Sequence, residues 1–464
     1  MKLMKFNKLS LAVIVVSILF GCLATNEPTF AEVKNRDKNV VFIVVDDLNT
    51  TLGCYRHPVV KTPNIDRLAE RGVRFNHAYC NYPVCGPSRG SFLTGLLPET
   101  IGILNNTTPL QDVLGDRVTL PALFKQNGYY TMSLGKIFHG GQNHNDLKAW
   151  NEIYGYSPTE TGKTGEGRNL TDGVLKWCSW MAANGDDEDQ PDGQNAKKAV
   201  EFIKTKRDQP FFLAVGFHKP HDPFIAPKKY FDMYPLEICN PPVLPEGWKP
   251  PYEHTLPGET KTFNKFTDKE RREFLRSYYA CTSFMDAQLG KIVKALEETN
   301  QLDNTLIIFF GDHGYHLGEH NWWNKVTIFE KGTNAPFIMA GQSVGSKGVE
   351  SDAMFEFIDI YPTLAELFEL KGTPGYLEGK SFSKIVSNPA LPFRSEVRAI
   401  VNRGAKTGRM VKNERFRYVE WDNGNMGNEL YDQKTDPVEY NNLSNNPGYA
   451  NVVAEMKKML VQKQ

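Results

Sequence analysis

Three apolar runs constrain the fold of this 464-residue chain more than any other feature: residues 40–45, 211–217 and 305–310. Each is rich in β-branched and aromatic residues and continuous rather than alternating, as expected of strands buried on both faces of a parallel sheet. A chemically active residue stands just beyond each one. Asp46 and Asp47 follow the first, His218 the second, and Asp312 with His313 the third. In open α/β sheets, ligands gather outside the carboxyl ends of the strands. Two further strands are expected at 129–134 and 336–340. Helices are expected at 63–72, 119–128, 196–206, 268–300 and 358–370. In the longest helix, Phe274, Tyr278, Met285, Leu289, Ile292, Val293 and Leu296 recur at helical spacing and read as core packing without chemistry.

Residues 85–95 read Cys-Gly-Pro-Ser-Arg-Gly-Ser-Phe-Leu-Thr-Gly. The pattern suits a loop feeding a helix, with Pro87 at the first helical position and Gly95 just past the end. Backbone N–H groups and the positive end of the helix dipole would then face the Cys85 region, and Arg89 adds a permanent charge. Two readings are open: an ordinary cysteine in a tight turn, or a residue placed where an anion is held. Asp46 and Asp47 likewise read as a water-facing loop pair or as a hard-cation site, because adjacent carboxylates repel and need a cation. Lys136 and His139 follow the strand at 129–134. Pro220 between His218 and His221 excludes a metal-binding helix face of the zincin type. His221 is expected to have a structural hydrogen-bonding role. Lys325 lies in a loop with Trp322 and Trp323.

Lys+Arg and Asp+Glu both number 54, so the net charge is zero and nothing global suggests nucleic-acid binding. At the N-terminus, Lys2, Lys5 and Lys8 precede an apolar run over residues 9–20 that is too short to span a bilayer. Residues 1–31 therefore read as an export signal, placing the protein in the periplasm, on the outer membrane or outside the cell. Leu19-Phe20-Gly21-Cys22 resembles a lipoprotein box, so a lipid anchor at Cys22 is the alternative to simple cleavage. Seven cysteines show no zinc-type spacing.

Residues 37–370 are expected to form a catalytic domain. Residues 140–192 and 222–265, rich in Gly, Asn and Pro, read as surface excursions that frame a substrate entrance. Past Gly372 the texture changes to short strands at 397–401, 409–411 and 416–421 with a terminal helix near 449–461. Residues 371–464 thus read as a smaller subdomain of antiparallel sheet plus helix.

Residues 85–95 resemble the signature of the type I sulfatases, in which the cysteine becomes formylglycine (3-oxoalanine). Val-Val-Asp-Asp-Leu at 44–48, Gly-Lys-Ile-Phe-His at 135–139, Gly-Asp-His-Gly at 311–314 and Glu-Leu-Tyr-Asp at 429–432 are similar to other motifs of that family. Residues 132–139 and 211–221 carry a narrower likeness to its iduronate-2-sulfatases. The resemblance implies an alkaline-phosphatase-like α/β fold: a central sheet flanked by helices, plus the C-terminal subdomain. It implies that a hydrated aldehyde made from Cys85 attacks sulfur with one hydroxyl and expels sulfate through the other. Asp46, Asp47, Asp312 and His313, with modified Cys85, would hold one calcium ion (Ca2+). Arg89 would steady the hydrate, and Lys136 and Lys325 would grip the sulfate. His218 would protonate the leaving alcohol, and His139 would bond the hydrate. The implied partners are a sulfated oligo- or polysaccharide and a formylglycine-forming maturation enzyme. A phosphate or phosphonate monoesterase of the same superfamily and a catalytically silent glycan-binding protein are the alternatives.

Overall fold

The computed structural model describes residues 38–140 and 146–461. The export signal and Cys22 lie outside the described residues.

An eight-stranded sheet forms the centre. Its order is Val349–Ser351, Gly72–Phe75, Phe337–Ala340, Thr305–Gly311, Asn39–Val45, Phe211–Phe217, Tyr130–Gly135 and Glu152–Tyr154. Only Phe337–Ala340 runs against its neighbours, so the sheet is mixed. The three continuous apolar runs are adjacent in its middle: Asn39–Val45 pairs in parallel with Thr305–Gly311 on one side and Phe211–Phe217 on the other. Every residue of these three strands is buried, which is why their sequences do not alternate. Because the register is parallel, Asp46, His218 and Asp312 leave the sheet at the same edge.

Helices cover both faces. On one face, Pro63–Glu70, Pro191–Lys204 and Asp268–Glu298 bury Ile65, Ala196, Phe202, Leu289 and Ile292 against Val41, Ile43, Leu213 and Ile307. On the other, Cys85–Thr94 and Leu120–Gln126 pack on Phe42, Phe212 and Phe310. Phe92 meets Phe310 edge-on at 5.1 Å and Phe42 at 6.1 Å. That aromatic cluster seats the helix bearing Cys85 on the sheet; deleting a buried Phe of this kind costs about 3–5 kcal/mol. The helix begins at Cys85, two residues before the expected start, with Pro87 still in the first turn, where its missing N–H is an orphan anyway. Gly95 ends it in the left-handed conformation, φ 69°, as its sequence suggests.

Residues 140–192 are more regular than expected. Glu152–Tyr154 extends the central sheet, while Gly165–Asn169 and Ser179–Ala183 build a second sheet with Phe224–Pro227. These strands are only three to five residues long, too short for a period of two to stand out in the sequence. The C-terminal region holds the expected antiparallel sheet and a helix, Ala450–Val461, with a fourth strand, Asn428–Asp432, beyond the three expected. No helix among the described residues is long and apolar enough to cross a membrane.

Candidate active site

Strand ends and the helix Cys85–Thr94 converge on one buried cluster. Asp46 and Asp312 are fixed by the sheet itself: Asp46 N–H donates to Phe217 O at 3.1 Å, and Asp312 N–H to Val45 O at 3.0 Å. Asp47 adopts φ 61°, an uncommon conformation for a residue with a side chain. Its N–H donates to Asp312 Oδ1 at 3.1 Å, and its carbonyl accepts the Tyr278 hydroxyl at 2.7 Å. Tyr278 Oη also accepts the Asn49 N–H at 3.0 Å. The long helix therefore does more than pack the core: this one hydroxyl braces the turn that carries both carboxylates.

Three cations face three carboxylates. Lys136 Nζ contacts Asp46 Oδ2, and Lys325 Nζ contacts Asp47 Oδ1. Arg89 donates through Nε to Asp312 Oδ2 at 2.9 Å and through Nη1 to Ile137 O at 3.1 Å. Lys136 is brought in by Gly135 (φ 70°) and by Gly216, where a Cβ would lie 2.0 Å from the Lys136 carbonyl oxygen. Burial works against charge on Asp46, but Lys136, His221 and Arg89 together hold its carboxyl well below the usual range. Asp47 is pushed up by burial, against the pull of Lys325 and with the push of Asp46 and Asp312.

Cys85 Sγ lies 3.1 Å from Lys325 Nζ and 3.3 Å from His313 Nε2. Burial first, then Asp46, raise the thiol well above its ordinary pKa, so the unmodified side chain stays protonated and is a poor nucleophile. His313 Nδ1 is 2.9 Å from Gly314 O. A carbonyl only accepts, so Nδ1 carries a hydrogen, and Nε2 faces the cluster, 3.4 Å from Asp47 Oδ1 and 3.5 Å from Asp312 Oδ1.

His218 stands at the rim with 42% of its side chain exposed, Nδ1 3.7 Å from Asp46 Oδ2. Desolvation in this recess and the neighbouring Lys219 charge depress its basicity. His139 is lowered to about 3 by burial, Lys136 and Arg89, and its Nδ1 is buried without a partner.

Every sequence-derived candidate is thus drawn into this cluster or its field. Three residues enter that sequence reasoning had set aside or missed. His221 Nε2 is 3.8 Å from Asp47 Oδ2 and 4.0 Å from Asp46 Oδ2; the His-Lys-Pro-His motif was its signal. Tyr278 gave only a core signal. Asp192, at the start of Pro191–Lys204, gave none.

The cluster fits a cation. Asp46 Oδ1 and Asp47 Oδ2 are buried without hydrogen-bond partners. One ligand atom from each of Asp46, Cys85, Asp312 and His313 lies within 4.8 Å of the others. Carboxylate oxygens suit a hard ion; imidazole is the weaker donor for one.

An α/β sheet with a buried carboxylate, lysine and cysteine cluster at its carboxyl edge defines a class of ester hydrolases acting on oxyanion esters. The chain belongs to the sulfatase family and is a sulfuric ester hydrolase: the family model "Sulfatase" matches residues 38–370, and "N-sulphoglucosamine sulphohydrolase, C-terminal" matches residues 318–464. A sulfatase of Formosa agariphila is 34% identical over 458 residues, 92% of this chain and 87% of that protein. Human iduronate 2-sulfatase is 34% identical over 376 residues, 75% of this chain and 68% of that protein. The fold is shared with the phosphonate monoester hydrolase of Silicibacter pomeroyi, with TM-score 0.77, 20% identity, and coverage of 91% of this chain and 94% of that one. Members of the sulfatase family normally use formylglycine and a metal ion.

Proposed function

We propose that this sulfatase removes sulfate from a sulfated glycan, with the 2-O-sulfate of a terminal uronic acid as its leading substrate. The observation that carries the substrate class is the 34% identity to human iduronate 2-sulfatase over 376 residues. Supporting it, the motifs at 132–139 and 211–221 bring Lys136, His139, His218 and His221 to one edge of the sheet. The chain is read as exported, so that it meets polymers outside the cytoplasm, and as matured by a separate formylglycine-forming enzyme.

In this reading Cys85 is converted to formylglycine, which when hydrated would supply the nucleophile for sulfur and the means of releasing sulfate. Asp46, Asp47, Asp312 and His313, together with modified residue 85, would hold a calcium ion. Arg89, bound to Asp312 and to two backbone carbonyls, fixes positive charge beneath residue 85. With the carboxylates serving the cation, the ammonium groups of Lys136 and Lys325 are the donors left for sulfate oxygens, where charge develops as the ester bond breaks. His218 holds the proton for the leaving alcohol. Desolvation and the cations around it suppress its charge in the free site, and the negative charge of a bound sulfate acts the other way. His139, kept neutral by burial and by Lys136 and Arg89, accepts a proton at residue 85.

The test is turnover of defined substrates by enzyme made with a maturation system, alongside mass spectrometry of the peptide containing residue 85. Cleavage of 2-O-sulfated uronic acid disaccharides ahead of sulfated hexosamines, aryl sulfates and phosphonate esters is expected, with residue 85 as the aldehyde. Untouched 2-sulfated uronides beside efficient cleavage of another sulfated sugar overturn the substrate. Activity with only unmodified cysteine overturns the chemistry.

A further inference from the structure

Lys325 reaches Cys85 and Asp47 from a loop whose backbone is unusual at the next residue. Val326 adopts φ 70°, left-handed geometry that a β-branched side chain resists more than almost any other. Such a conformation persists only where the surroundings impose it. Two contacts do so here. Val326 N–H donates to Pro83 O at 3.1 Å, two residues before Cys85. Its carbonyl accepts Arg403 Nη2.

Arg403 comes from the C-terminal sheet. It is the last residue of Val397–Arg403, a strand laid along the segment leading to Cys85. Ile400 N–H donates to Asn81 O at 2.9 Å, and Asn402 N–H to the Tyr82 hydroxyl at 3.0 Å. The guanidinium sits 5.9 Å from the Trp421 ring, with Nη1 3.2 Å from Asn402 O. It forms no ion pair among the described residues, and its Nε is buried without a partner. A permanently charged side chain is thus spent on backbone carbonyls, one of them that of the strained residue. The same Lys325–Val326 peptide unit is held again from its carbonyl, which accepts Trp322 Nε1 at 2.7 Å, and on the other side of Lys325 its N–H donates to Asn324 Oδ1 at 2.8 Å. The peptide units flanking Lys325 are held on both sides, so the position of its ammonium follows from where Val326 is clamped.

We propose that Arg403 is a positioning residue for the sulfatase reaction: by holding Val326 in the left-handed conformation, it sets the Lys325 ammonium against residue 85. This makes the C-terminal sheet a structural part of the active site. The inference rests on Lys325 being a sulfate-binding group, so Lys325→Ala is measured beside it.

The experiment compares Arg403→Ala, Arg403→Lys and the double variant Arg403→Ala/Val326→Gly. Each is checked by thermal melting, and kcat and KM are measured on para-nitrophenyl sulfate and on a 2-O-sulfated uronic acid disaccharide. A displaced charge acts mainly where transition-state charge develops, so Arg403→Ala should lower kcat by about 10- to 100-fold, with KM changed less. Arg403→Lys, which keeps a donor for the carbonyl, should recover part of that loss. The double variant should recover more, because glycine adopts the left-handed conformation without a clamp. If Arg403→Ala stays within about twofold of wild type while Lys325→Ala is inactive, the positioning role is wrong and the active-site reading stands. If the double variant melts like Arg403→Ala yet recovers nothing, the clamp on Val326 is not how Arg403 acts. If Lys325→Ala is fully active, the active-site reading falls and this inference falls with it.

Discussion

The carboxylate of Asp192 accepts the backbone N–H of His218 at 2.9 Å and that of Lys219 at 2.8 Å. Asp192 is 1% exposed, at the start of the helix Pro191–Lys204, so the loop bearing His218 and His221 is tied to a rigid element. Lys219 closes the same loop from inside, its buried ammonium donating to His221 O at 2.8 Å and Pro223 O at 2.7 Å. Asp192→Ala leaves two N–H groups unpaired in a closed environment, at about 1–3 kcal/mol each. The expected result is a clear drop in melting temperature together with a fall in kcat. Asp192→Asn, which keeps one acceptor oxygen, should fall between. Wild-type kinetics in Asp192→Ala would separate this loop from the chemistry.

Tyr278→Phe removes one oxygen and strands two groups, the Asp47 carbonyl and the Asn49 N–H. Both are buried, so the stability cost is again about 1–3 kcal/mol. Asp47 then loses a restraint on its left-handed backbone, and kcat should fall by about tenfold, more than KM rises. Steady-state kinetics beside thermal melts check this. A variant destabilised but kinetically normal would show that Asp47 is held adequately by its N–H bond to Asp312.

These two residues show what could be read in the sequence and what could not. The strands were legible because burial on both faces demands continuous apolar runs, and Asp46, Asp47, Asp312 and His218 were legible because they follow those runs directly. Tyr278 looked like one more large residue in a helical stripe. Its hydroxyl acts on Asp47, 231 residues earlier, and no local pattern records that. Asp192 reads as an ordinary acidic residue in a helix's first turn. His221 reads as structural because it stands farther from the strand end than His218; the turn from His221 N–H to His218 O at 2.9 Å returns its ring to the carboxylates. The helix start was misread because Pro is commonest at the first helical position, while here Cys85 occupies it.

Away from the site, Asp187 supplies a test of pH dependence. Its carboxylate meets Lys229 at 2.7 Å, Lys291 at 2.9 Å and Gln288 Nε2 at 3.1 Å. Burial opposes its charge, but these partners hold its pKa at about 2. A carboxylate depressed in the folded state stabilises above its unfolded pKa, and that contribution is lost as pH falls through the folded value. After allowing for the half-exposed Lys229, about 1–2 kcal/mol is at stake. The gap in melting temperature between wild type and Asp187→Asn should be full at pH 6, narrow below about pH 4 and vanish near pH 2. A gap independent of pH would mean that the aspartate acts as a neutral hydrogen-bonding group.

Metal removal tests the cluster as a whole. Asp46 Oδ1 and Asp47 Oδ2 are buried without hydrogen-bond partners, and the third carboxylate, Asp312, is bound to Arg89 and the Asp47 N–H. Lys136 and Lys325 offset part of this charge, but in the reading above they are needed for sulfate. Exhaustive chelation should therefore abolish turnover and lower the melting temperature, and calcium should restore both. A ligand bound only by the folded state at a hundred times its Kd adds about 2.7 kcal/mol, so the thermal shift is large enough to measure without any substrate. Asp312→Ala should show neither the shift nor activity, because it removes a candidate ligand and frees Arg89. Asp187→Asn, whose side-chain partners are Lys229, Lys291 and Gln288 rather than any member of the cluster, should keep the full calcium shift. If demetallated wild-type enzyme retains its melting temperature and its turnover, the carboxylates serve only the two lysines and Arg89, and the cation site is wrong.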